Sequence, residues 1–412
     1  MNSDKIKLEA WLAKHESGMV DMLKKLVATP SDNPAGDCLP ISEVVADQLR
    51  LRGFEPQLDL VDEKDVQAAG MIRVQNIIAD TVIGTGEGPV IALNSHGDVV
   101  PPGDGWTYDP YGGLIVEGKL YGRGAAVSKS DIAVYTYAVM ALRESGVTAS
   151  GKLALAITFD EETGGEVGPQ RLLRKGLLEP DYALVAGFTY AAVTAHNGCL
   201  HLEVILKGSS AHAAIPHTGA DALEAMTDVL NALYAYRKQL SKMVSNVNGI
   251  HSPTLVVGLI QGGINTNVVP DRCAIRIDRR IIPEENPVTA EKELIAVIAA
   301  ALEEVPGIEL QVRRVLLAHP FRELAGTELL IEALRSNWSG VIQEGELPVQ
   351  GVPLYADARH FTEAGVPAVM FGAGPRTLEE ANGHRADEHV MLSDMTKAVR
   401  IVAFTLYDLL SR

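Results

Sequence analysis

Three linked motifs organise this sequence: SHGDVVP at residues 95–101, WTYDPYGGLIVEGKLYGRG at residues 106–124 and GRGAAVSKSD at residues 122–131. The first motif ends a short apolar run, VIALNSH, that is typical of a buried strand. Residues i and i+2 lie on one face of a strand, so Asp98 can orient the imidazole of His96. Such an arrangement commonly supports a metal-bound histidine, although a strand-end histidine at the surface gives the same pattern.

Three adjacent acids follow a second apolar run. The run LALAITF, residues 153–159, leads directly into DEETGG, residues 160–165. Functional side chains of α/β proteins gather at the carboxyl ends of strands, so this placement favours a functional role for Glu161 and Glu162. Adjacent acids elsewhere are more often a solvated surface run.

Composition excludes several classes of partner. The chain has 412 residues, of which 47% are hydrophobic and 22% charged, as in a globular protein long enough for two domains. A formal net charge of −17 argues against nucleic acid and anionic membranes, but not against a small anion bound in a local arginine pocket. We find no signal-peptide pattern and no membrane span, and therefore expect a cytoplasmic location. The three widely spaced cysteines predict no disulfide framework and no zinc knuckle.

The order of predicted elements indicates two domains. Strands alternate with helices at both ends of the chain, which predicts an α/β fold with a mostly parallel central sheet. After His196, alternating strands and two amphipathic helices predict a compact α+β unit with an antiparallel sheet. We therefore expect a discontinuous domain formed by residues 1–196 and 315–412, interrupted by an inserted domain over residues 197–314.

Together these motifs resemble the two-zinc aminoacylase and carboxypeptidase family, which includes acetylornithine deacetylase, succinyl-diaminopimelate desuccinylase and glutamate carboxypeptidase. The resemblance extends to PLYADARHF at residues 353–361 and GHRADEHV at residues 383–390. It implies a zinc-peptidase-like catalytic domain and an inserted domain that serves as lid and dimerisation surface. It therefore also implies a homodimer that acts on a small molecule.

The resemblance also implies roles for individual residues. Glu161 matches the general base, and His212 matches a residue that stabilises the oxyanion across the dimer. Two supporting residues come from spacing and not from the resemblance: Asp98 would orient His96, and Asp131 would assist because it lies one helical turn beyond Val127. The positions that match metal ligands are His96, Glu162 and His384, and those that match substrate-binding residues are Asn267, Arg280 and Arg359.

Two of the family's metal-ligand positions are lost. Val127 stands where the family carries the Asp that bridges both metals, and Gly187 stands where it carries Glu or Asp. A two-metal site needs a shared anion and enough carboxylates to offset the repulsion between the ions. We therefore expect at most one divalent ion, zinc before others, or no metal. Two histidines and Glu162 remain as a set of ligands for one zinc ion.

Two functions stay open. The first is a hydrolase that acts on an amide or related C–N bond of a small carboxylate-bearing substrate, such as an N-acyl amino acid or a dipeptide-like compound. Its site would be rebuilt around one metal or none. The second is a non-catalytic homologue that binds or senses a small molecule. Retention of Glu161, His212, Arg280 and Arg359 favours the hydrolase.

Overall fold

The computed structural model describes residues 2–411 and divides into two compact units. The first unit is formed by the chain up to Thr194, by Glu323–Gln350 and by the chain from Ala356 onward. The second unit is formed by Ala195–Arg322 and Gly351–Tyr355. Residues 351–355 belong to the second unit because the amide of Gly351 donates to the carbonyl of Asn248 at 2.7 Å.

Regular elements follow the predicted order. The helices are α1 (Ser3–Val27), α2 (Leu39–Arg50), α3 (Glu63–Ala68), α4 (Lys129–Glu144), α5 (Pro169–Arg174), α6 (Ala222–Leu240), α7 (Pro287–Ala300), α8 (Thr327–Ile342), α9 (Ala358–Glu363) and α10 (Leu392–Leu410). The strands are β1 (Gln57–Leu60), β2 (Gln75–Ile83), β3 (Val90–His96), β4 (Leu114–Val116), β5 (Lys119–Tyr121), β6 (Gly151–Thr158), β7 (Tyr182–Val185), β8 (Ala192–His196), β9 (Gly198–Lys207), β10 (Thr254–Gly262), β11 (Arg272–Ile281), β12 (Glu309–Ala318), β13 (Val349–Val352), β14 (Ala368–Met370) and β15 (His389–Met391). None of the helices described in residues 2–411 combines the length and apolar character needed to cross a membrane.

The large sheet is mixed, with strand order β1-β2-β6-β3-β7-β14-β8-β13. Its central strands β6, β3, β7 and β14 are parallel, whereas β2 is antiparallel to both β1 and β6, and β14 is antiparallel to β8. The expected mostly parallel sheet therefore exists only at the centre. Strand direction at the edges depends on connections across the sheet, which a residue pattern does not encode.

Helix α4 is central to the first unit. Its residues are buried on all sides from Lys129 to Leu142, as in a helix surrounded by protein. It packs against α1 and α10 and against strands β2, β3 and β6. The start of α4, which carries Asp131, is consequently fixed in the interior.

The second unit contains an antiparallel sheet with strand order β10-β11-β9-β12. Leu200, Leu202, Val204 and Leu206 of β9 alternate with more polar residues and form a core with apolar residues of α6 and α7. The side chain of Asp221 caps α6 by accepting from the amides of Leu223 and Glu224. The predicted antiparallel α+β unit is confirmed.

Candidate active site

His96 ends strand β3 and is buried. Its Nδ1 donates to the carbonyl oxygen of Asp98 at 3.1 Å and lies 3.3 Å from the Asp98 carboxylate. Its Nε2 lies 4.0 Å from Oε2 of Glu161, which is too long for a hydrogen bond. The ring is therefore held through one nitrogen, and the other nitrogen faces Glu161.

Asp98 joins three segments of the first unit. Its carboxylate accepts from the side-chain amide of Asn33 at 2.9 Å and from the backbone amides of Glu161 at 3.3 Å and Glu162 at 3.1 Å. The short 3₁₀ turn Glu161–Thr163 follows β6 directly, so both glutamates stand at the carboxyl end of a central strand. Asp98 thereby sets the position of this turn relative to His96.

Glu162 and His384 form a second contact. Oε1 of Glu162 lies 3.4 Å from Nε2 of His384, and no hydrogen bond satisfies this buried oxygen. The nearby carboxylate raises the pKa of His384, against the opposing effect of burial. The two side chains are spaced as neighbouring ligands of one ion would be, because tetrahedral zinc bonds put such atoms about 3.4 Å apart.

Several buried carboxyl groups lie near His96. Burial raises the pKa of Glu161 and of Asp160 well above the usual range, and it raises the pKa of Asp357 to about 7. Burial lowers the pKa of His96, but the neighbouring charges of Glu161 and Asp98 outweigh it, so that this pKa is raised. Sequence reasoning gave no role to Asp160 or Asp357, although both lie in motifs that it singled out. Such a concentration of carboxylates suits a cation.

The backbone at Val127 is held by Glu388. The Glu388 carboxylate accepts from the amides of Ala126 at 3.1 Å and Val127 at 3.2 Å, and it pairs with buried Arg123. The small sheet β15-β5-β4 brings these segments together, because Glu388 directly precedes β15 and Arg123 follows β5. Val127 itself offers no atom that could bind a metal.

The second lost ligand position is closed. A Cβ atom at Gly187 would lie 2.7 Å from backbone atoms of Met370 and Phe371, so no larger residue fits there. Nearby, Asp131 is buried and accepts from the amide of Ala373 at 2.6 Å. Burial raises the pKa of Asp131 to about 7. Neither Val127 nor Gly187 therefore supplies a side-chain ligand for a second metal ion.

The donor set fits one ion better than two. His96, Glu162 and His384 supply the nitrogen and oxygen atoms that zinc prefers. Among residues 2–411, however, these three do not form a group whose ligand atoms all lie within 4.8 Å of one another. Binding of one ion by all three would therefore require a change in at least one of these side chains.

Arg359 lies in the interior, with 3% of its surface exposed. Its guanidinium donates to the carbonyl oxygen of Gly164, which Nε2 of His360 also contacts at 2.9 Å. Arg359 therefore supports the turn that follows Glu161 and Glu162. Its predicted contact with a substrate carboxylate stays a prediction.

The remaining predicted residues lie in the second unit. The segments of His212 and Asn267 are paired, because His212 forms a β-bridge with Val268 and Ala213 donates to the carbonyl of Asn267 at 3.1 Å. Both side chains are exposed. Arg280 donates to both oxygens of Asp278, at 3.0 and 3.1 Å.

Comparison with known proteins identifies related sequences and folds. Acetylornithine deacetylase from Myxococcus xanthus is 27% identical over 401 residues, which cover 93% of this chain and 97% of the relative. Succinyl-diaminopimelate desuccinylase from Rhodospirillum centenum is 29% identical over 357 residues, covering 81% of this chain and 84% of the relative. The crystal structure of human carnosine dipeptidase 1 has the same fold, with a TM-score of 0.73 at 18% identity over 98% of this chain and 99% of the other.

The family profile described as Peptidase family M20/M25/M40 matches residues 92–408. This match includes most of β3 with His96, the Glu161 turn, the whole second unit and the His384 segment. The chain therefore belongs to peptidase family M20/M25/M40 and is an amidohydrolase- or peptidase-like hydrolase.

Proposed function

We propose that this protein hydrolyses the amide C–N bond of a small carboxylate-bearing compound, an N-acyl amino acid or a dipeptide-like molecule. The observation that carries the proposal is the contact of one carboxylate, Asp98, with His96 and with the amides of Glu161 and Glu162. Asp98 thereby holds Glu161, the proposed acid–base residue, and the metal-ligand candidates His96 and Glu162 at the carboxyl ends of the adjacent parallel strands β3 and β6. Similarity to a deacetylase and a desuccinylase supports this substrate class.

Glu161 would transfer the proton in this reaction. As water attacks the carbonyl carbon, Glu161 takes a proton from the water and then delivers it to the amide nitrogen as the C–N bond breaks. Burial raises the pKa of Glu161, so this group holds a proton more readily than an exposed glutamate does. In the proposed dimer, His212 of the second subunit would donate to the oxyanion.

Substrate recognition would use the second unit. Arg280 is half-buried and presents a permanent positive charge, and Asn267 is exposed on the segment paired with that of His212. A guanidinium matches the geometry of a carboxylate through two parallel hydrogen bonds. These contacts would select a substrate that carries a carboxylate.

At most one divalent ion would bind at the candidate site of the first unit. Glu162 and His384 would hold it, with His96 as the third ligand. When bound, such an ion polarises a carbonyl and acidifies a bound water. The limit of one ion follows from Val127, which has no ligand atom, and from Gly187, where a side chain does not fit.

The proposed homodimer would form through strand β10, which is an edge strand of the second sheet. Its sequence TLVVGLIQG carries no charge, and Val256, Leu259 and Ile260 are exposed. Proteins usually protect such an edge with charges or with a partner strand. A second copy of this chain would cover it. The cytoplasmic location stays a prediction from the sequence.

A non-catalytic binding protein is the second candidate. The observations that favour it are the loss of both metal-ligand positions and the burial of Arg359. This candidate would retain the cleft and bind similar compounds without turning them over.

The two candidates are separated by one experiment. Protein purified without chelators is analysed for metal per subunit and assayed on N-acyl amino acids and dipeptides, with and without added zinc. The hydrolase predicts turnover that Glu161→Gln removes. Binding of a compound in the panel with no turnover beyond that of Glu161→Gln would establish the non-catalytic candidate.

A further inference from the structure

A second group of potential metal ligands lies in the second unit. Sγ of Cys199 lies 3.2 Å from Nε2 of His201, which lies 3.1 Å from Oδ2 of Asp278. The same sulfur lies 3.9 Å from Oδ1 of Asp278. Within the described part of the chain, these three residues form a group whose ligand atoms all lie within 4.8 Å of one another.

The sheet brings these residues together. Cys199 and His201 are two residues apart on β9 and therefore share a face, and Asp278 of β11 stands directly opposite His201. The alternate residues Leu200 and Leu202 point to the core beneath α6 and α7. The cluster is thus fixed by the backbone pairing of two central strands, and scaffolds of this kind hold a site more precisely than loops do.

Arg280 completes the arrangement. It stands opposite Cys199 in the β9–β11 register, and its guanidinium donates to both oxygens of Asp278 at 3.0 and 3.1 Å. A ligating carboxylate is commonly held by such an outer hydrogen bond, which fixes its orientation. The positive charge also offsets part of the negative charge that a thiolate and a carboxylate would place side by side.

The spacing agrees with a single tetrahedral ion. Zinc bonds of about 2.0–2.3 Å place neighbouring ligand atoms about 3.4–3.6 Å apart. The sulfur-to-nitrogen distance of 3.2 Å and the nitrogen-to-Oδ2 distance of 3.1 Å are slightly shorter than that, and the sulfur lies 3.9 Å from the other oxygen of Asp278, Oδ1. A thiolate with an imidazole favours zinc over magnesium or calcium, which prefer oxygen ligands only. Three protein ligands leave the fourth position for water.

We propose that the second unit binds one divalent transition-metal ion, zinc before others, through Cys199, His201 and Asp278. Its ligands are separate from His96, Glu162 and His384, so the two sites are tested independently. Binding releases the thiol proton of Cys199, since a metal ligand must be deprotonated. The ion takes the place of the direct contacts between the sulfur, the ring and the carboxylate.

Cobalt(II) added to the metal-free full-length protein tests this site, because thiolate ligation gives a charge-transfer absorption that nitrogen and oxygen ligands do not. We expect the near-ultraviolet band to saturate at one equivalent. Cys199→Ser should abolish the band. Asp278→Asn should lower the affinity at least about tenfold, since even a lost outer contact costs that much.

Two variants serve as matched controls. Cys273 lies on β11 but belongs to the core beneath the helices, so Cys273→Ser should keep the band. Glu162→Gln should also keep it, which separates this site from the cleft of the first unit. The absence of a band in the wild type, its persistence in Cys199→Ser or its loss in Cys273→Ser would overturn the proposal.

If Cys199→Ser does not fold, His201→Gln replaces it, because His201 is partly exposed. Circular dichroism of the metal-free proteins first establishes that the variant is folded. At least a tenfold loss of cobalt affinity supports the site, and an unchanged affinity overturns it.

Discussion

Asp98 is the residue on which the candidate active site depends most. It receives donors from Asn33 and from the amides of Glu161 and Glu162, and it is fully buried. These contacts fix the turn that carries both glutamates beside His96. Asp98 thus orients His96, two residues away, and also positions the Glu161 turn, about 60 residues away in the sequence.

Glu161→Gln should lower kcat by about 10²–10⁴-fold, because the amide keeps the shape of the side chain but no longer accepts a proton. The measurement is kcat on the best substrate of the panel. Glu166→Gln, at an exposed position of the same segment, is the matched control and should leave kcat unchanged. Retention of more than about a tenth of wild-type kcat by Glu161→Gln would exclude Glu161 as the proton-transfer group.

Asp131→Asn should stabilise the protein above neutral pH. The folded-state pKa of Asp131 is raised from 3.8 to about 7, chiefly by burial, so the folded state holds a proton that the unfolded state releases between these values. Stability therefore falls as pH rises through this window, and above it the penalty is constant. The amide oxygen of Asn would still accept from Ala373.

Urea unfolding at pH 5 and pH 8 measures this effect. The measured quantity is the free energy of unfolding of the variant minus that of the wild type. This difference should be roughly 1–3 kcal/mol larger at pH 8 than at pH 5, since each pKa unit corresponds to about 1.4 kcal/mol. An equal difference at both pH values would show that Asp131 does not titrate in this window.

At the scale of elements, the small sheet β15-β5-β4 helps to fix the backbone course around Val127. His389 pairs with Tyr121, so that Glu388 and Arg123 meet beyond the ends of their strands. Both side chains are almost fully buried. The pair therefore holds the backbone segment around Val127 in place.

Arg123→Met should destabilise the protein by about 3–5 kcal/mol, because it leaves the carboxylate of Glu388 buried without its cation. Urea unfolding measures the change in free energy. Arg50→Met is the control. The Arg50–Asp47 pair is exposed, so its loss should lower the free energy of unfolding by less than about 1 kcal/mol. Equal losses in the two variants would contradict a stabilising role for the buried pair.

At the scale of the whole molecule, the uncharged edge strand β10 is the feature that points to assembly. Leu259 is 61% exposed and Ile260 is 56% exposed, although both are large and apolar. The opposite edge strand, β12, carries Glu309, Arg313 and Arg314, as expected of an edge that faces solvent.

Sedimentation at micromolar concentration should therefore give a dimer, and Ile260→Glu should convert it to a monomer by placing a charge in the proposed interface. Val82→Glu is the matched control, because Val82 is similarly exposed, at 59%, on β2 of the first unit. A monomeric wild type, or a dimer that survives Ile260→Glu, would contradict assembly through β10.

Local pattern alone predicted part of the elements, among them β3, β6 and those of the second unit. The alternation of β9 and the helical periodicity of α6 and α7 predicted an antiparallel α+β unit, because burial of one face imposes these periods on the residues. Apolar runs likewise located β3 and β6, and therefore placed His96 and Glu161 near strand ends.

Only the tertiary structure decided which residues from distant segments meet. The backbone of Met370 and Phe371 leaves no space for a side chain at Gly187. The carbonyl oxygen of Gly164 accepts a hydrogen bond from the guanidinium of Arg359, and the register of β11 places Asp278 beside His201. Each contact joins residues that are far apart in the chain. Their meeting depends on sheet order, register and packing, and these are properties of the folded chain that no local pattern of residues carries.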